Sequence, residues 1–148
     1  MKPIKKILVP VDFSMHTAQA VQFAADLSRR YEAPLELLHV LEPTVYALPA
    51  AYVLPTPEQS THIMEGLRTQ LSSTELDAVR AGAWSVSSTL VQGSPIGEIL
   101  RIAKEAQFDL IVMGTHGRTG IKHVLLGSVA ENVARTASCP VLIVRADG

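Results

Sequence analysis

The chain has 148 residues, 47% of them hydrophobic and 18% charged, and a net charge of -1. That length suits one domain able to bury roughly two thirds of its unfolded surface without cross-links, and the balanced charge excludes both a basic nucleic-acid footprint and an acidic tail. A single cysteine, Cys139, excludes an internal disulfide and fits a small buried hydrophobe in a reducing compartment.

Lys2, Lys5 and Lys6 precede the apolar run Ile7 to Val11 (ILVPV), which Asp12 stops. A β-branched run of this kind reads as a parallel strand covered on both faces. It is too short for a secretion signal or a membrane span, so a cytoplasmic location is expected. Ser14 is placed to cap a helix in which Ala20, Phe23, Ala24, Leu27 and Tyr31 form the predicted buried stripe. Past Pro34, Leu35 to Leu41 (LELLHVL) reads as the second strand. Glu42 to Pro55 contains Pro43, Pro49 and Pro55 and has no clean period. It reads as a loop that covers the ligand site or a partner subunit, or else as a disordered crossover.

Thr56, Pro57 and Gln59 predict a capping box with proline at the first helical position, and a helix to about Arg80. Trp84 to Val91 partly alternates and suits an edge strand with one exposed face. Gly93, Ser94 and Pro95 open another helix with Ile96, Ile99, Leu100 and Ala103 inside, and Asp109 to Met113 is the fourth strand. Val129, Val133, Ala134 and Ala137 mark the last helix, and Val141 to Val144 (VLIV) the fifth strand. Strands and helices alternate throughout, which predicts a three-layer α/β/α fold around a five-stranded parallel sheet with right-handed crossovers.

The stretch GTHGRTGIKHVLLGS, Gly114 to Ser128, lies between the fourth strand and the last helix. Gly114, Gly117 and Gly127 lack a Cβ, so their backbone is able to take positive φ and approach a ligand whose oxygens need N–H donors. The first N–H groups of the following helix have no intrahelical partner, and the aligned peptide dipoles favour an anion there. Ser128 adds a hydroxyl. A second reading stands beside this one, because Ser128 and Glu131 have the spacing of a capping box and loop glycines also serve as turn formers.

Ligands of open α/β sheets bind beyond the strand carboxyl ends where strand order reverses. If the first and fourth strands are neighbours, Asp12 faces the glycine loop across one crevice. Its carboxylate there would accept from a ribose hydroxyl or an adenine amino group, or hold a divalent cation. The alternative is that Asp12 only caps the first helix with Ser14.

Val9-Pro10-Val11-Asp12, Gly114-x-x-Gly117, nine residues, Gly127-Ser128, and Cys139-Pro140-Val141-Leu142-Ile143-Val144 together resemble the universal stress protein family, over essentially the whole chain. The glycine motif with its serine resembles the branch that binds ATP. Carried over, the resemblance implies that Asp12 meets the ribose and adenine side and Val40 packs against the base. Gly114, Gly117, Gly127 and Ser128 would surround the phosphates, which Mg²⁺ or Mn²⁺ would accompany. Pro10, Val11, Met113, His116 and Val129 would line the same crevice. The resemblance also implies the sheet order 3-2-1-4-5, a role in stress physiology, and a homodimer through the fifth strands, at Val141, Leu142, Ile143 and Val144. The strand itself supports the dimer: an outer VLIV with no lysine or internal proline leaves an apolar ladder for a second copy to cover.

Other nucleotide and metal sites fit poorly. No G-x-x-x-x-G-K-[ST] string occurs, and where a dinucleotide fold wants glycines after the first strand this chain has Asp12-Phe13-Ser14. Receiver-type phosphoacceptor residues are missing from the ends of the third and fifth strands, which carry Gln92-Gly93 and Arg145. His16, His116 and His123 lack clustered metal-ligand spacing, and no hydrolytic triad is evident. The expected function is adenine-nucleotide binding by a ligand-responsive module. A slow nucleotide hydrolase and an interaction-only dimer remain as alternatives.

Overall fold

A computed structural model of the chain describes residues 2–43, 46–48, 51–115 and 126–146. The elements in order are β1 (Ile7–Pro10), α1 (Met15–Tyr31), β2 (Leu35–Leu41), β3 (Tyr46–Leu48), β4 (Ala51–Val53), α2 (Pro57–Arg80), β5 (Val86–Gln92), α3 (Pro95–Glu105), β6 (Leu110–Gly114), α4 (Ser128–Thr136) and β7 (Val141–Val144). One sheet runs β5-β2-β1-β6-β7, with every neighbouring pair parallel. Counting only its own strands, the order is 3-2-1-4-5, as the resemblance implied.

Alternation along the strands divides the core into two layers. Val9, Leu37 and Val112 face Ala20, Val21 and Ala24 of α1 and Leu71 and Ala78 of α2. Leu8, Leu38, Ile111 and Met113 face Ile99 and Ala103 of α3 and Ala130 and Val133 of α4. The middle strands are covered on both sides, which is why ILVP and LIVMG carry no polar residue.

Helix ends follow local chemistry. Thr56 accepts from the Gln59 N–H at 3.2 Å while the Gln59 side chain accepts from the Thr56 N–H at 2.9 Å, completing the predicted capping box. Fully buried Ser28 ties the end of α1 to the chain entering β5: its hydroxyl donates to the Ala33 carbonyl at 2.6 Å and accepts from the Trp84 N–H at 3.0 Å.

Several packing expectations need correction. The face that α1 buries is Thr17, Ala20, Val21, Ala24, Ala25 and Ser28, whereas Phe23 is 49% and Tyr31 50% exposed. Small residues let α1 lie close on the sheet, and the two rings are turned off that contact. In α4 the inner residues are Ala130 and Val133, and Ala134 is exposed. Trp84 is exposed and precedes the edge strand, which starts at Val86. The Glu42 to Pro55 segment contains an antiparallel hairpin, with Tyr46 paired to Val53 and Leu48 to Ala51.

Candidate functional site

Strand order reverses between β1 and β6, which pair in parallel through Ile7↔Leu110 and Leu8↔Ile111. The chain leaves β1 for α1 on one face and β6 for α4 on the other, so the carboxyl ends of the two strands open a crevice. Asp12 follows one end and Gly114 closes the other.

Three apolar residues expected in the crevice share one layer. Met113 is buried, and Val40 and Val129 pack partly buried against the same cluster, on the α3 and α4 face. Pro10 is buried at the end of β1. Val11 points the other way: its side chain is buried in the α1 and α2 layer, so only its backbone borders the crevice. Its N–H donates to the Leu38 carbonyl at 2.8 Å, and its carbonyl lies 2.7 Å from His39 Nδ1.

Asp12 Oδ1 accepts the Ser14 N–H at 2.9 Å. Ser14 in turn is the N-cap of α1, its hydroxyl accepting from Thr17 N–H at 3.4 Å. One carboxylate oxygen therefore braces the turn into α1, which sets the carboxylate beside Ser14 just past the end of β1. Among the described residues no group of three or more His, Cys, Asp or Glu is arranged to hold a metal ion.

Two of the three glycines, Gly114 and Gly127, do not take the positive φ that was open to them. Gly114 does not adopt positive φ; among the described glycines only Gly82 and Gly93 do. A Cβ on Gly114 would sit 2.8 Å from the His16 carbonyl oxygen, so its bareness makes room for the first turn of α1. Gly127 has φ -68 and ψ 157 and is itself the N-cap of α4, which leaves Ser128 as the first helical residue. The Ser128–Glu131 capping box is therefore not formed, and Glu131 pairs with Arg135 at 3.1 Å instead. Gly127 has no side chain with which to cap α4, and the dipole at its start favours an anion. The Gly127 N–H donates to the Thr115 carbonyl at 2.6 Å, which holds together the two ends of the intervening stretch. His116 and Gly117 lie outside the described residues, as do Arg118, Lys122 and His123.

An apolar wall, an oriented carboxylate and an uncapped helix start suit three different groups: a flat base, a hydroxyl and an anion. The matching of whole chains is decisive about ancestry: the family model described as the universal stress protein family matches residues 3–145. The chain belongs to that family. It is 34% identical over 146 residues to universal stress protein MJ0531 of Methanocaldococcus jannaschii, covering 95% of this chain and 82% of that one. Among solved structures, hypothetical protein MJ0577 superposes with a TM-score of 0.81 at 28% identity, covering 99% of each chain. A universal stress protein in complex with cAMP superposes with a TM-score of 0.75 at 26% identity, over 97% of this chain and 98% of that one.

At the far edge of the universal stress protein sheet, β7 pairs with β6 alone among the described strands, and its four apolar residues are each half-buried. Sequence reasoning passed over His39 and Phe13. His39 had a readable signal, since a polar side chain inside LELLHVL needs a hydrogen-bond partner. The positive φ of Phe13, 65°, has no counterpart in residue type.

Proposed function

We propose that residues 1–148 form one adenine-nucleotide-binding unit, with ATP the first-choice ligand, acting as a ligand-responsive module in a stress response. The observation that carries this reading is the crevice between β1 and β6, where Asp12 and the uncapped start of α4 flank the wall of Met113, Val40 and Val129. The base would rest on that wall, a ribose hydroxyl would donate to Asp12, and the phosphates would meet the first N–H groups of α4 and the Ser128 hydroxyl. Binding of cAMP by a relative of the same fold supports an adenine ligand. Mg²⁺ or Mn²⁺ would enter on the phosphates. Any hydrolysis should be slow, because among the described residues no side chain is placed as a general base for an attacking water.

We also propose a cytoplasmic homodimer through β7, whose apolar outer edge a second copy would cover by antiparallel pairing. Light scattering of purified protein at tens of micromolar should report a dimer; a monomer would refute that pairing. One observation favours the rival scaffold: Gly114 and Gly127 both have structural work, in packing and loop closure. Titration with a fluorescent ATP analogue, with and without Mg²⁺, separates the two. Saturable binding that falls at least tenfold in Asp12→Ala supports the nucleotide reading, and a flat titration of the wild type supports the scaffold.

A further inference from the structure

His39 is the one charged or ionisable side chain of the sheet that is buried among the described residues, at 8% exposure. It grips the chain on both sides of Asp12. Before Asp12, its Nδ1 lies 2.7 Å from the Val11 carbonyl oxygen. A carbonyl oxygen only accepts, so Nδ1 carries the hydrogen. After Asp12, the imidazole packs on the Phe13 ring with centroids 4.6 Å apart and planes inclined by 35°.

The backbone between these two holds is strained and abrupt. The last ladder bond of β1 toward β2 is Val11 N–H to the Leu38 carbonyl. The next acceptor, the Val11 carbonyl, goes to the imidazole, and the strand ends there. Two residues on, Phe13 has φ 65, a left-handed conformation that is costly for a residue with a Cβ. Such a conformation persists where the surroundings over-determine it, and Phe13 is held both by the core cluster it packs against and by the His39 imidazole. The Ser14 N–H to Asp12 Oδ1 bond then sets the carboxylate within the turn.

We propose that His39 is a positioning residue for nucleotide recognition: by holding Val11 and Phe13 it fixes the turn that aims the Asp12 carboxylate into the crevice. This rests on the nucleotide reading for its functional consequence, though the effect on the turn is separate from it. His39 reaches the crevice through Asp12 and makes no contact with ligand itself. Its side chain belongs to the α1 and α2 side of the sheet, with Val11 and Phe13, opposite Met113 and Val40.

Two variants and two readouts test this. His39→Leu keeps apolar bulk and removes the donor. His39→Asn puts an amide N–H at the place of Nδ1 and should rescue it. In the free protein, hydrogen exchange of the Ser14 amide should speed up at least tenfold in His39→Leu and stay within about threefold of wild type in His39→Asn. Affinity for a fluorescent ATP analogue should fall about tenfold in His39→Leu and recover in His39→Asn. In an Asp12→Ala background, His39→Leu should cost nothing further.

Equal exchange of Ser14 in both variants and wild type would overturn the proposal. So would a further tenfold loss of affinity on adding His39→Leu to Asp12→Ala. Should the wild type bind no nucleotide while the Ser14 amide responds as stated, the functional reading fails and the positioning of the turn stands.

Discussion

Replacing Gly114 with alanine tests whether this glycine is required for packing. The new Cβ would lie 2.8 Å from the His16 carbonyl oxygen, 2.9 Å from its carbon and 3.0 Å from its Cβ. Two of the three are backbone atoms inside the first turn of α1, so no side-chain rotation relieves the contact. Ordinary Cβ contacts begin near 3.4 Å, so α1 or the end of β6 must retreat by about half an ångström. Overpacking of this kind costs about 1–3 kcal/mol, and for a chain of this size each kcal/mol lowers Tm by roughly 2–4 °C. Thermal unfolding followed by circular dichroism should therefore show Gly114→Ala melting about 3–10 °C below wild type. Gly127→Ala, at φ -68, should cost much less, because that conformation is open to any residue. Equal melting of wild type and Gly114→Ala would refute the packing role and restore the idea that the glycine serves ligand approach alone.

Ser28→Ala removes a hydroxyl that serves one buried carbonyl and one N–H, and should destabilise by about 1–3 kcal/mol in urea unfolding. Thr56→Ala breaks the capping box of α2 and should cost about 1 kcal/mol, while Thr56→Ser keeps most of it. Burial, and next the nearby Asp109 charge, push the Cys139 thiol above its ordinary value. At pH 8 it should react with a disulfide reagent more slowly than a free thiol, since only the thiolate attacks. A rate equal to that of free cysteine would contradict this.

Much of the fold was legible because its cause is local. Runs such as ILVP and LIVMG have no polar residue to place toward water, and Thr56-Pro57-x-Gln59 carries its own cap, so strand and helix positions follow from neighbouring residues. The hairpin of β3 and β4 was not legible. Its two three-residue strands are too short for alternation to show.

The sequence by itself determined the alternation of strands and helices, membership of the universal stress protein family, and which residues lie at the strand ends. Only the tertiary structure decided what those residues do there. Gly114 is bare because His16, far away along the chain, packs against it, and Val11 is turned from the crevice because β1 alternates against two distant helices. Asp12 is braced by Ser14 beside it, but its turn is held by His39 from another strand. Local propensity depends on a few adjacent residues, whereas the role of a side chain depends on which remote atoms the folded chain brings to within a few ångströms.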